Sequence, residues 1–157
     1  MVECTVGDAP TNAEVLAALP QAPPFRFLDE ILELDDEHIV AAHRFPADAD
    51  FYRGHFPGNP ITPGVLLIEA MAQAGVVALG IYLVAKESSL DDAKRLLSVF
   101  TDANVEFAGI VRPGERVLIR GRKVFFRRRK LRAETSMHLE DGTLVCSGTL
   151  SGMGIAR

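Results

Sequence analysis

The chain has little cysteine: Cys4 and Cys146 only, far apart, with no CxxC pair and no Cys/His cluster. That excludes a disulfide framework, gives no sign of a metal site, and leaves two reduced thiols as the expectation. A basic start followed by an apolar run is also missing, since residues 1–10 include Glu3 and Asp8, so no signal peptide is expected. Net positive charge is lacking too. The balance of 17 Lys and Arg against 21 Asp and Glu is −4, which does not make the whole chain a nucleic-acid binder by bulk electrostatics. No internal repeat and no domain-scale linker interrupt the sequence. What is present is 157 residues, 48% apolar and 24% charged. That suits a single domain over residues 1–157 with a real core, and is too apolar for disorder.

One run, residues 65–85, has only Glu69 and Gln73 as strongly polar members. About 20 such residues could span a bilayer. A carboxylate in lipid is costly, and no cluster of Lys or Arg flanks the run closely. It reads instead as a helix buried in a protein core, and no membrane association is expected. Thr62 is its expected N-cap, with Pro63 in the first turn, and the helix should run to about Lys86.

Upstream, residues 1–12 read as a loose arm, and Asn12 as the cap of a helix over 13–19. Pro23-Pro24 forces an extended approach. A strand, or a turn plus strand, follows over 25–34, and another strand over 38–45. Residues 51–63, dense in Gly and Pro, must be loop. Downstream, 88–95 is a loop or short helix. Strand-like runs then cover 96–101, 104–110, 116–126, 131–139 and 143–152, with turns at Arg112-Pro113-Gly114 and Asp141-Gly142. One long helix followed by a meander of strands is an α+β fold, an antiparallel sheet wrapped on a single helix.

The chemistry concentrates in residues 54–73, GHFPGNPITPGVLLIEAMAQ. Gly54, His55 and Phe56 open a rigid Gly/Pro loop that holds the histidine backbone with little freedom. The loop feeds a helix N-terminus whose free amides include Gly64 and Val65, a place that attracts a developing oxyanion. Glu69 is a lone carboxylate on an apolar helix, and Gln73 lies four residues on, on the same face. Burial favours the neutral form of such a carboxyl, which suits it to donate a proton. Each residue also has a plain reading. His55 fits a structural loop histidine, Glu69 a helix-dipole or ion-pair partner, and Gln73 a group that satisfies backbone. Taken together they read as an acid–base site or a ligand-binding pocket.

The same twenty residues closely resemble the signature of the FabZ-type (3R)-3-hydroxyacyl-acyl carrier protein dehydratases. The resemblance extends over Leu19-Pro20, Pro24-Phe25, Leu28-Asp29 and 111–115, VRPGE. It implies the hot-dog fold, and a homodimer whose sites each take a histidine from one chain and a glutamate from the other, with further assembly as a trimer of dimers. It implies that His55 is the catalytic base and Glu69 the catalytic acid. The amide that polarises the thioester carbonyl is that of Gly64, and Gln73 supports the acid. The partners implied are acyl carrier protein and an acyl-thioester substrate, in the cytoplasm, with no metal or organic cofactor. The sister isomerase-type enzymes carry aspartate where Glu69 stands, so dehydration without isomerisation is expected. Val65, Leu66, Val76 and Leu79 are candidates to line an acyl tunnel.

Three departures stand out. Gln21-Ala22 replaces the family's usual His-Arg, 106–109 reads EFAG where a basic residue, Phe, Arg and Pro are usual, and Phe100 stands where some members have tyrosine.

Residues 116–132 hold nine Lys and Arg and no Asp or Glu. The rest of the chain, with eight basic and 21 acidic residues, carries −13. A solvated hairpin tip at Arg127, Arg128, Arg129 and Lys130, docking of an acidic carrier there, and nucleic-acid binding all fit, though no aromatic interleaving supports the last. An acyl thioesterase and a non-catalytic acyl-binding protein are the alternatives on the same fold.

Overall fold

The computed structural model describes residues 8–157, so Cys4 and most of the expected arm lie outside the described residues. Thr11, rather than Asn12, caps the first helix, Asn12–Ala18. The Thr11 hydroxyl accepts from the Glu14 amide while the Glu14 carboxylate accepts from the Thr11 amide, a reciprocal capping box. Asn12 is thereby free to donate its side-chain amide to the Ile31 carbonyl, tying the helix to the sheet. Pro23-Pro24 makes a turn instead of an extended approach, with the Phe25 amide donating back to the Ala22 carbonyl.

Six antiparallel strands follow: β1 (Glu30–Leu34), β2 (His38–Arg44), β3 (Leu96–Phe107), β4 (Arg116–Arg127), β5 (Lys130–Leu139) and β6 (Leu144–Ala156). They form one sheet in the order β1-β2-β4-β5-β6-β3. The two strands expected over 96–110 are a single strand. The polar pair Thr101-Asp102 sits at a register shift between Phe100 and Asp102, so a bulge absorbs what read as a break. Gly142, with φ of +91°, makes the β5–β6 turn that Asp-Gly promised. Ser89 caps a short helix, Leu90–Lys94.

The sheet wraps a central helix, Gly64–Glu87. By length and composition this helix could cross a bilayer, but 67% of its apolar window is buried inside the fold. Its start differs from expectation. Thr62 gives no cap; its buried hydroxyl is bonded to the Tyr52 hydroxyl at 2.6 Å, and Pro63 takes the N-cap position with no side-chain bond to the helix. Gln73–Ala78 winds as π-helix, an insertion that is frequent at functional sites. Phe45, Ile39, Leu67, Met71, Leu79, Ile119, Met137 and Leu150 are fully buried between helix and sheet.

Helix backbone approaches sheet backbone at a pair of glycines. A Cβ on Gly121 would stand 2.9 Å from the Gly75 Cα and 3.0 Å from Ile39 Cγ2. Backbone meets backbone there, so no side chain can swing aside. Gly121→Ala is expected to destabilise the fold by about 1–3 kcal/mol, as overpacking does, read as a lower urea midpoint at unchanged slope. A midpoint equal to wild type would mean the helix rides farther from the sheet than this.

Candidate active site

Glu69 projects from the first turns of the central helix and is mostly buried. Its Oε1 accepts from Gln73 Nε2 at 2.9 Å. Gln73 is fully buried and fully used. The same Nε2 donates to the Phe25 carbonyl at 2.9 Å, and Oε1 accepts from the Phe27 amide at 2.7 Å. The glutamine therefore fastens residues 25–27 to the helix and steadies the carboxyl, as its spacing from Glu69 suggested. Burial pushes the Glu69 pKa up from 4.5, partly offset by the Gln73 bond, which favours the ionised form.

That shift has a stability sign. The folded chain holds the proton more tightly than the unfolded one, so the fold loses stability as pH rises from about 4.5 through the folded value. Glu69→Gln removes the buried charge at almost constant shape. It is expected to be more stable than wild type at pH 8, with the gap closing below about pH 4.5, in paired urea titrations. A variant less stable than wild type at pH 8 would mean that Glu69 gains more from being charged than burial takes away.

His55 sits in the loop before the helix, stacked on Phe56 with ring centroids 4.1 Å apart. Its backbone is tied at both ends, by its own amide to the Phe51 carbonyl and by its carbonyl to the Ile61 amide. A tight turn at Phe56–Asn59, with Gly58 at φ +74°, closes the loop. The Nδ1 lies 2.8 Å from the Ile61 carbonyl, which can only accept. Nδ1 therefore carries the hydrogen, and Nε2 keeps the lone pair that a base needs. Gly54 leads into the loop.

At the helix start the first helix-type bonds run from the Leu66 and Leu67 amides to the Pro63 carbonyl. The amides of Gly64 and Val65 have no carbonyl of their own helix to bond. The Phe107 ring lies against Gly64, where a Cβ would meet it at 3.2 Å.

Glu69 lines a cleft of about 260 Å³ with Gln21, Val76, Ser98, Phe100 and Gly152 among its walls. Gln21 and Phe100, two of the departures from the family pattern, thus lie beside the carboxyl, and the Gln21 Oε1 is buried without a hydrogen-bond partner. Of the expected tunnel residues only Val76 lines this cleft. Val65 is 72% exposed and Leu79 is plain core. The walls from Ser98 and Gly152 come from β3 and β6, remote in sequence, and no local signal marks them. His55 is not part of the cleft: within one chain the structure brings Glu69 and Gln73 together but not Glu69 and His55.

In the basic segment, Arg116, Arg122, Lys123 and Arg132 pair with Glu30, Glu134, Glu37 and Asp102 across the sheet. Among the described residues, Arg127, Arg128, Arg129 and Lys130 at the β4–β5 tip pair with no carboxylate. Cys146 is buried beside Met71, and burial pushes its thiol up to about 11, so it is inert.

A long helix wrapped by one antiparallel sheet is the hot-dog fold. The chain belongs to the FabA-like domain family, whose model matches residues 19–150, and within it to the FabZ-type dehydratases. It is 36% identical over 140 residues to the 3-hydroxyacyl-(acyl-carrier-protein) dehydratase FabZ of Streptococcus pyogenes serotype M3, covering 88% of this chain and 94% of that protein. Among solved structures, it is similar to the dehydratase heterocomplex ApeI:P of Xenorhabdus doucetiae, with a TM-score of 0.70, 18% identity and 91% of each chain covered. A thioesterase of Pseudomonas aeruginosa matches with a TM-score of 0.62 and 16% identity, over 94% of this chain and 96% of that one. At such identities the structural likeness bears on the fold alone.

Proposed function

We propose that this dehydratase acts on (3R)-3-hydroxyacyl thioesters held on acyl carrier protein, in the cytoplasm, with each site built from two copies of the chain. The carrying observation is a carboxyl biased toward its neutral form in a cleft that its own chain's histidine does not enter. The sheet edge supports a pairing that would bring a second His55 to the cleft. β3 is a twelve-residue edge strand, exposed over most of its length, with Val99, Phe100 and Phe107 on its surface. Such an edge invites another strand. Phe56 and Val65, also exposed, flank His55 and the helix start with apolar surface.

The chemistry follows from the groups. His55 Nε2 takes the proton from the carbon alpha to the thioester. As negative charge moves onto the thioester oxygen, the Gly64 amide, next to that of Val65 at the helix N-terminus, stabilises it. The C3–O bond breaks, and Glu69 gives its proton to the departing hydroxyl, which leaves as water. The product is the trans-2-enoyl thioester. The proton on His55 then returns to Glu69 through solvent, and the site is reset. No step calls on a metal or organic cofactor.

The test is the reverse reaction, hydration of trans-2-enoyl thioesters followed by loss of their absorbance. Consumption by the wild type supports the reading. Inertness on all chain lengths, together with thioester hydrolysis, would replace it with a thioesterase.

Carrier docking belongs to the β4–β5 tip. Arg128 and Arg129 both adopt left-handed backbone, with φ of 51° and 63°, where Asn-Gly is the favoured pair and other residues cost roughly 1–2 kcal/mol each. Four cations that meet no carboxylate among the described residues, gathered at a strained turn, suit an acidic partner better than a solvated edge. Replacing Arg128 by Asn and Arg129 by Gly together is expected to stabilise the fold by about 1–2 kcal/mol, chiefly through the glycine, since asparagine still carries a Cβ and relieves only part of the cost at 128. The same double variant should raise KM for carrier-linked substrate at low salt, while leaving coenzyme A thioesters unchanged. Equal effects on both substrates would remove the docking role.

A further inference from the structure

His55 keeps a lone pair on Nε2 while its Nδ1–H points at the Ile61 carbonyl, so whatever fixes that carbonyl fixes the tautomer. The carbonyl belongs to the Ile61–Thr62 peptide. The N–H of the same peptide donates to the Val111 carbonyl at 2.9 Å, in the segment before β4. One bond leaves the peptide free to tilt about it, and a second point of attachment is needed to set its angle. The Thr62 side chain supplies that point: its hydroxyl and the Tyr52 hydroxyl share a hydrogen bond of 2.6 Å. Both residues are buried, Thr62 at 3% exposed and Tyr52 at 6%. Tyr52 lies in a single turn of 3-10 helix, Asp50–Arg53. In that turn the Phe51 carbonyl accepts the amides of Gly54 and His55. The turn therefore grips the loop at both ends, at the His55 backbone and, ten residues beyond Tyr52, at Thr62.

Packing alone does not require two hydroxyls here. A buried hydroxyl costs free energy that its bond only offsets, whereas phenylalanine and valine would fill the same space without that cost. What a hydrogen bond adds over apolar contact is a narrow distance and a preferred direction. We infer that the Tyr52–Thr62 bond is a positioning device for His55: it holds the Ile61–Thr62 peptide at the angle that keeps the hydrogen on Nδ1 and the lone pair on Nε2. Tyr52 and Thr62 are thus positioning residues that act through the histidine. The inference rests on the reading of His55 as the base.

The experiment measures hydration of trans-2-enoyl thioesters by wild type, Tyr52→Phe, Thr62→Val and Thr62→Ser, with Tyr52→Phe also combined with His55→Ala. Thermal melts and the NMR shifts of the His55 ring nitrogens are recorded beside the rates. Tyr52→Phe and Thr62→Val should lower kcat about 10- to 100-fold, the cost of a small misplacement of a reacting group, with KM within about twofold. Their ring nitrogens should show a share of His55 carrying its hydrogen on Nε2, where the wild type carries it on Nδ1. Thr62→Ser keeps the hydroxyl and should recover most of the rate that Thr62→Val loses. In the His55→Ala background Tyr52→Phe should cost nothing further, because a residue that acts through another has no effect once that one is gone. Should one of the variants without a hydroxyl fail to fold, the other decides. Folded variants with wild-type kcat and an unchanged tautomer would overturn the inference and reduce the bond to a structural one. So would a further loss from Tyr52→Phe in the His55→Ala background. A wild type inert on every thioester, or a fully active His55→Ala enzyme, would instead overturn the base assignment on which the inference stands.

Discussion

His55→Ala is expected to lower dehydration about 10²- to 10⁴-fold, the contribution of a positioned acid or base, with little change in stability. The reason is local. His55 makes one side-chain bond, to the Ile61 carbonyl, and the loop is closed by backbone bonds that alanine keeps. Glu69→Gln should lose a similar factor while the fold becomes more stable at neutral pH, since the carboxyl's neutral form is the one burial favours. Activity and stability thus move in opposite directions in one variant, which separates a lost proton donor from a damaged core. An active His55→Ala enzyme would remove the histidine from the chemistry and leave Glu69 to act on water, as a thioesterase would.

Mixing those two dead variants should restore activity. If each site takes His55 from one copy and Glu69 from the other, a mixed pair holds one site with both residues intact and one with neither. Random pairing makes half the pairs mixed, so about a quarter of the wild-type sites should return after unfolding and refolding together. The recovery should be absent when each variant is refolded alone. No recovery, from proteins that pair normally by light scattering, would place both residues of a site on the same chain. The expectation stands on two separate observations, the absence of His55 from the Glu69 cleft and the long exposed edge of β3.

How much was legible in the sequence varies with how local the physics is. Loop, helix start, carboxyl and its glutamine lie within twenty residues, and Glu69–Gln73 contact follows from helical spacing alone. The caps of the first helix and of the central helix differ from what the local sequence suggests. Thr11 outcompetes Asn12 because only Thr11 has Glu14 three residues on to complete the reciprocal pair, and Thr62 was already engaged by Tyr52. The single strand β3 looks like two in sequence because Thr101-Asp102 resembles punctuation, and a bulge shows only in the pairing with the partner strand β6.

The sequence by itself determined most of the elements and marked His55 and Glu69 as candidates for an acid–base pair, because helical periodicity, glycine and proline punctuation and a carboxyl in an apolar run are properties of neighbouring residues. Only the tertiary structure decided what surrounds that pair. Cleft walls come from β3 and β6, helix and sheet meet closely because Gly75 and Gly121 carry no side chains, and four of the nine basic residues at 116–132 pair with acids on other elements while, among the described residues, the tip does not. Those facts depend on register and on which residues meet across the sheet, and both arise only when the whole core closes at once.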